Sequence, residues 1–532
     1  MPVYLLLAAA VIFACVLLNK LSSKLGIPML LAFILLGMFF GSDGVVRIPF
    51  DNYAFAEQIC SVALIFIMFY GGFGTNWKAA EPIAGRAVLL STLGVVLTAG
   101  ITGLFCRLVL RMEWTASFLL ASVVASTDAA SVFSILRSKR LNLNYNTASL
   151  LEVESGSNDP SSYMLTAIML AVINGTASGI GVVRMIFEQL IYGAVFGFLI
   201  AYTVIWLLKR IRFCTAGFDA VFVVAVALLS YAAPAALGGN GYLSAYIVGI
   251  VLGNARIRNK KTLVPFFDGM TGLMQMLVFF LLGLLSFPSR LPQVMLPALA
   301  IALFLTVVAR PAAIFALLAP FRSPIQQRIV VSWTGLRGAA SIVFAIMAMS
   351  ADVGVDIFHI VFCIVLFSIL LQGSLIPFVS KKVGMIDEGA DVMKTFSDYT
   401  DEVPIQFIRA TIHEGHPWCA KALRDVTLPP ETLIVLLLRD TRRLVPNGKT
   451  VFHEGDTIIM SARPSGRIEG VQLSEKSVAK GDALAGKTLA QITALGESLV
   501  IMIRRAGKVV IPKGDTVICE DDVLVINHPE ES

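Results

Sequence analysis

The run Glu154-Ser155-Gly156-Ser157-Asn158-Asp159-Pro160 lies inside a stretch otherwise apolar enough to cross a bilayer. A charged group at the bilayer centre costs about 3 kcal/mol even on lenient insertion scales, so carboxylates there face a partner, a cavity or an ion path. Asp159 is therefore the first candidate for a transported-ion site. Two further apolar stretches are broken by polar runs, Ser126-Thr127-Asp128-Ala129-Ala130-Ser131 and Ser332-Trp333-Thr334-Gly335-Leu336-Arg337-Gly338-Ala339-Ala340-Ser341. Unwound backbone exposes carbonyls able to replace a cation's hydration shell, and half-helix ends carry partial charges that need balancing. Asp128 and Arg337 sit within the breaks, where they can balance those ends. The bland alternative is close packing of small residues between helices.

These residues need a membrane scaffold, and the composition supplies one. With 57% hydrophobic and 15% charged residues over 532 positions, the chain is too apolar for a soluble protein of this size. Runs of about 20 apolar residues predict a polytopic α-helical membrane protein of thirteen transmembrane helices, centred near residues 11, 35, 63, 97, 126, 160, 195, 225, 248, 275, 307, 338 and 368. The two broken helices are the fifth and twelfth. Seven spans apart, they are corresponding members of two halves of opposite orientation, and paired broken helices in inverted repeats mark a transporter's binding site.

Lys and Arg set the orientation. Sixteen lie in loops after odd-numbered spans, among them Lys78, Arg137, Lys139, Lys260 and Lys261, against five after even-numbered spans. Cytoplasmic loops carry the basic excess, so the N-terminus is expected outside and the tail inside. The formal charge of +6 then needs no nucleic-acid partner. A cleaved signal peptide does not suit the first span, which has no basic residue before it and no clear cleavage site after it. The seven cysteines form no C-x-x-C pair, and neither a disulfide framework nor a metal site is indicated. Glu152, Glu57, Glu188, Asp219 and Asp268 read as interfacial or paired, and His359 as a satisfied interfacial side chain.

Composition changes after the last span. Residues 1–385 form the membrane domain, 386–402 an acidic linker, and 403–470 and 471–532 two small α+β modules. The modules repeat at a gap-free shift of 66 residues, which lays Leu433–Leu437 on Leu499–Ile503 and Pro446-x-Gly448-x-Thr450 on Pro512-x-Gly514-x-Thr516. Each unit resembles the TrkA-C (RCK-C) regulatory module of potassium transport proteins. Such modules dimerise and some bind small nucleotides, so the resemblance implies a regulatory tail with an unidentified ligand. No G-x-G-x-x-G fingerprint precedes a strand here.

In the membrane domain, Thr127-Asp128, the run Glu154 to Asp159 and Gly335-Leu336-Arg337-Gly338-Ala339-Ala340 resemble those of the NhaP-type cation:proton antiporters, the first of the monovalent cation:proton antiporter families. The resemblance covers residues 1–382, and the tail is similar to that of the potassium/proton branch. It implies a core bundle, a dimerisation bundle and a homodimer. It also implies Asp159 as the carboxylate that binds cation and proton in turn, with Thr127, Asp128 and Ser155 near the ion and Asn158 organising the site. Glu154 would form a buried ion pair, with Arg337 or Arg310 as its partner. A neutral amide at 158 leaves one exchangeable carboxylate, which holds either a monovalent cation or a proton at the same net charge. Exchange is then expected to be electroneutral: K⁺, or Na⁺, against H⁺ across a bacterial inner membrane, with no cofactor. The competing readings are a ligand-gated potassium channel, against which no T-V-G-Y-G filter is present, and an intramembrane hydrolase, for which no serine-histidine or metal-ligand constellation lies in the spans.

Overall fold

The structure is a computed structural model. It describes residues 9–17, residues 29–386 apart from 140, 211–216, 256, 258, 259 and 352, and most of residues 406–528. Apart from Ile386, the expected acidic linker lies outside the described residues. The chain divides into two units, Met1–Glu402 and Val403–Ser532.

The first unit is helical. After a helical stretch at residues 9–17 (α1) come α2 (Met29–Phe40), α3 (Tyr53–Gly74) and α4, which runs from Glu81 to Leu108. The next two helices, α5 (Trp114–Val123) and α6 (Ala129–Ser138), are halves separated by the first break. Then follow α7 (Thr147–Ile173), α8 (Ile180–Arg210), α9 (Phe218–Ala235), α10 (Gly241–Asn254), α11 (Lys260–Leu285) and α12 (Pro288–Leu318). The second break separates α13 (Ile325–Trp333) from α14 (Ala339–Ala348), and α15 spans Ile357–Lys382. Among the described residues, seven helices are long and apolar enough to cross a membrane, and α2, α5, α10 and α14 are shorter apolar helices. The 27-residue α7 is not among either set. Glu152, Glu154 and Asp159 make it too charged to face lipid, so it must be enclosed by protein.

Glycine lets several helix pairs approach closely. On α10, Gly249 and Gly253 stand four residues apart, and a Cβ on either would overlap the α3 backbone at Phe69 or Phe73. Gly37 of α2 and Gly283 of α11 face each other in the same way. In lipid, where apolar burial gives no drive for helix association, such backbone contact supplies the attraction. The interior behind these seams is built from Leu64, Phe279, Phe344 and Phe358 on one side and Phe69, Val223 and Phe267 on the other.

In the second unit, β1 (Gln406–Thr411), β2 (Thr432–Arg439), β3 (Arg442–Leu444) and β4 (Thr457–Ala462) form an antiparallel sheet of order β1-β4-β2-β3. A second sheet, β5 (Gln472–Ser477), β6 (Leu499–Arg505), β7 (Lys508–Val510) and β8 (Val523–His528), has the order β5-β8-β6-β7. The bulge in β2 between Ile434 and Leu436 recurs in β6 between Val500 and Met502, at the same 66-residue shift. So does one polar clasp. The Arg439 guanidinium donates to Asp456 at 2.8 and 2.7 Å, and that of Arg505 to Asp522 at 2.8 and 2.8 Å. The Asp456 carboxylate also accepts from His453 N and that of Asp522 from Cys519 N, each at 2.8 Å. The Arg505 bond holds the Asp522 carboxyl below the usual range, and at Asp456 the upward push of burial is outweighed by Arg439.

Both carboxylates hold a proton less tightly folded than unfolded. Their stabilisation is therefore complete above the ordinary aspartate pKa of about 4 and is lost as the pH falls through the lower folded value. Replacing the arginine strands a buried carboxylate, and replacing the aspartate removes hydrogen bonds to a charged group at a buried position. Asp522→Asn should cost the second module about 2 kcal/mol at neutral pH, read as earlier loss of amide-exchange protection in β6 and β8. Asp456→Asn should do the same in β2 and β4, and in both variants the difference from wild type should shrink below about pH 4.

Candidate functional site

The two breaks meet. Asp128 N donates to Leu336 O at 2.8 Å, so the unwound backbone between α5 and α6 is bonded to that between α13 and α14. Asp128 then caps the N-terminus of α6: its carboxylate accepts from Ser131 N at 3.2 Å and from Ser131 Oγ at 2.5 Å. The same carboxylate lies against Gly338, the residue before α14, where a Cβ would overlap it. One negative charge thus serves the positive ends of two half-helices.

Arg337 does the reverse. Fully buried, it donates from Nη1 to Ala125 O at 2.8 Å and to Ser126 O at 2.5 Å, covering carbonyls just past the C-terminal end of α5. Its own N donates to Ser368 Oγ at 3.0 Å. Ser368 belongs to a wide π-type turn of α15 that also carries Gln372, and Gln372 Nε2 donates to Trp333 O at the end of α13, 2.7 Å away. The Gln372 Oε1 accepts from Ser368 at 3.0 Å and from Thr306, in a second π-type turn within α12, at 3.3 Å. Inserted residues of this kind free backbone groups and gather at functional sites.

The α5–α6 break is sewn onto α7 by the residues expected there. Ser155 Oγ donates to Thr127 O at 2.8 Å and accepts from Ala129 N at 2.9 Å. Asn158 accepts from Thr127 N at 3.3 Å and donates to Thr127 Oγ1 at 2.6 Å. Asp159, 6% exposed, accepts a short bond from Ser126 Oγ. Thr127, Asp128, Ser155, Asn158 and Asp159 are therefore one cluster. Glu154 points away from it and pairs with Arg310, whose Nη2 donates to Glu154 Oε1 at 2.9 Å. Both partners are buried, and losing either one would strand the other charge at a cost of about 3–5 kcal/mol. Of the two arginines that the sequence left open for Glu154, Arg310 makes the bond, and Gly335 leaves the space that its side chain occupies.

A cavity of about 420 Å³ runs to Asp159. Its wall includes Ser126, Thr127, Asp128, Ser155 and Gly156, then Glu152 on α7, Tyr70, Gly71 and Gly74 on α3, and Asp268, Thr271 and Gln275 on α11. Four carboxylates line it, and no Lys, Arg or His is among its described lining residues. Its outer parts lie at the ends of α3, α7 and α11 that adjoin the basic loops. One turn further along α7 from Asp159, Tyr163 belongs to an aromatic cluster with Tyr231, Tyr242 and Phe344, the Tyr242 ring lying 4.9 Å from that of Tyr163 and 4.8 Å from that of Tyr231.

Two acids take a place that the sequence reading had not given them. Glu152 and Asp268, read as interfacial or paired, line this cavity, and Asp268 is exposed and bonded to the Tyr70 hydroxyl. The signal was present as spacing: Glu152, Ser155, Gly156 and Asp159 fall at i, i+3, i+4 and i+7 on one helix face. Ser126 and Gln372 were also missed as contributors, since only the fold brings their partners near. His359 is satisfied as expected, bonded to Asp356 and accepting from Phe287 N at 3.1 Å.

Comparison with known proteins agrees with this geometry. The family model described as "Sodium/hydrogen exchanger, transmembrane" matches residues 8–382, and the TrkA-C domain matches residues 407–469 and 473–527. Among curated proteins, the chain is 34% identical to a K⁺/H⁺ antiporter NhaP of Alkalimonas amylolytica, over 83% of this chain and 78% of that one. It is 33% identical to the K⁺/H⁺ antiporter NhaP2 of Shewanella sp. (strain ANA-3), over 86% and 80%. In fold it is similar to the sodium proton antiporter MjNhaP1 of Methanocaldococcus jannaschii, with a TM-score of 0.64 over 71% of this chain and 99% of that one, at 23% identity. The chain belongs to the sodium/hydrogen exchanger family and is a membrane cation:proton antiporter, a transporter rather than an enzyme, with two TrkA-C domains behind its membrane domain.

Proposed function

We propose that this protein exchanges K⁺, or alternatively Na⁺, for H⁺ one for one across a bacterial inner membrane, with Asp159 taking cation and proton in turn. The observation that carries the reading is the cavity, whose described lining has four carboxylates and no basic side chain and which reaches the buried Asp159. Anions are repelled along it and cations are concentrated. Potassium is favoured because the curated relatives aligned over about four-fifths of their length are named K⁺/H⁺ antiporters. Thr127, Ser155 and Asn158 contribute or organise oxygens beside the ion, and Asp128 fixes the crossing from which they hang.

The cavity reaches Asp159 from the side of the basic loops, and we read the aromatic cluster around Tyr242 as the closure on the other side. We take the basic-loop side as cytoplasmic, which makes this an inward-facing state, with the N-terminus periplasmic and the tail in the cytoplasm. Thirteen spans in inverted repeats and a homodimer complete the membrane domain, which ends near residue 385 and is followed by a linker to residue 402. The modules at 403–470 and 471–532 regulate it through their own association or through a small ligand such as a nucleotide. Alternating access then needs only that the aromatic side open as the basic-loop side shuts.

The test is exchange in proteoliposomes with K⁺, Na⁺ and Li⁺ compared. Asp159→Asn should abolish H⁺ counterflow with every ion, and persistence of coupled exchange in that variant overturns the assignment. Wild-type exchange should be indifferent to an imposed membrane potential, whereas Asn158→Asp, which adds a second carboxylate, should make the rate respond to voltage. Deletion of residues 387–532 should shift the pH or ion dependence while leaving exchange in place; complete loss in a folded protein would argue against a purely regulatory tail.

A further inference from the structure

Glu152 and Asp268 belong to the same cavity as Asp159 but not to its hydrogen-bonded cluster. Glu152 precedes Asp159 by seven residues on α7, two turns and about 10 Å along the axis. On α11 the cavity is lined by Asp268, Thr271, Gly272 and Gln275, again at i, i+3, i+4 and i+7, and then by Phe279, so that carboxylate, hydroxyl and amide oxygens follow one another down the wall before it turns apolar. The Asp268 carboxylate is held by the Tyr70 hydroxyl, which donates to it at 3.2 Å.

Thr271 adds an independent observation. It is only 8% exposed, and its Oγ1 has no hydrogen-bond partner. Helical threonines usually turn back to the carbonyl four residues earlier, as Thr75, Thr92, Thr166, Thr203 and Thr334 do here. Thr271 does not. A buried hydroxyl left unmet is unfavourable, and this one lines a cavity whose described walls carry no basic side chain. What suits an oxygen lone pair one turn from a carboxylate is a small cation that exchanges part of its water for protein oxygens.

We propose that Asp268 and Thr271, with Glu152 on the facing helix, form a second monovalent-cation station that loads before the ion reaches Asp159. The inference rests on the reading that the cation travels through this cavity. The station holds the ion while Asp159 is still protonated, so that release of the proton is followed by transfer along the wall past Gln275 rather than by capture from bulk solution. The effect is on cation saturation and not on the exchange step.

The experiment measures exchange in proteoliposomes against K⁺ and Na⁺ concentration. Asp268→Asn should raise the half-saturating cation concentration about fivefold and Thr271→Val about twofold, with maximal rate and pH profile changing by less than about twofold, the signature of lost binding without lost turnover. Asp268→Glu should restore saturation. In parallel, crystals soaked in Tl⁺ should show an anomalous peak bounded by Asp268 and Thr271 that survives in Asp159→Asn and vanishes in Asp268→Asn. Unchanged half-saturation in monodisperse variants overturns the station, and so does raised half-saturation without Tl⁺ at this place, which would mean long-range attraction alone. If Asp268→Asn does not fold, Thr271→Val, which alters no charge, decides the matter. Failure of the Asp159 reading would show separately, as coupled exchange in Asp159→Asn.

Discussion

At membrane depth an unwound backbone has no water to satisfy it, and everything in this site follows from how two such stretches satisfy each other. The bond from Asp128 N to Leu336 O joins the breaks. Arg337 covers the carbonyls of Ala125 and Ser126, while the Asp128 carboxylate serves the N-terminal ends of α6 and α14. Opposite half-helix charges are thus met by one acid and one base lying in opposite breaks. Gly338 matters here through its missing Cβ, which leaves the Asp128 carboxylate its place.

That crossing explains how a helix with several carboxylates can lie inside a membrane protein. Glu154 is neutralised by Arg310 and is structural. Asp128 is occupied by helix ends. Asp159 has a hydroxyl from Ser126 and faces the cavity, with no basic side chain among the described residues bonded to it. That is the setting which the proposed alternation of cation and proton on Asp159 asks for. Ser155 and Asn158 use their hydrogen bonds to anchor Thr127, so a change of conformation that moves α7 must carry the break with it.

The tail follows a different logic. Its two sheets repeat at 66 residues down to the bulge, the isolated bridges at Ala422–Val451 and Thr488–Val517, and the Arg–Asp clasp. Duplication preserved the interactions that define each module's interior. Each module carries its own small core, Ile434, Leu437, Phe452 and Ile458 in one and Val500, Ile503, Ile518 and Leu524 in the other.

Much of this was legible in the chain because it is one-dimensional information. Apolar run length located the described helices, charge within apolar context marked Asp128, Glu154, Asp159 and Arg337, and the self-alignment revealed the tail repeat, since span length, burial cost and strand pattern are all local. What required the tertiary structure was the choice of partner. Arg310 and Arg337 were equal claimants on Glu154 until the crossing drew Arg337 onto the α5 carbonyls. Glu152 and Asp268 could be read only as interfacial or paired, because a carboxylate near a span end has the same local signature whether it meets headgroups or lines a cavity. Local energetics determine where a helix runs and that a buried charge must be answered; which distant group answers it depends on how helices far apart in the chain pack, and only the assembled fold decides that.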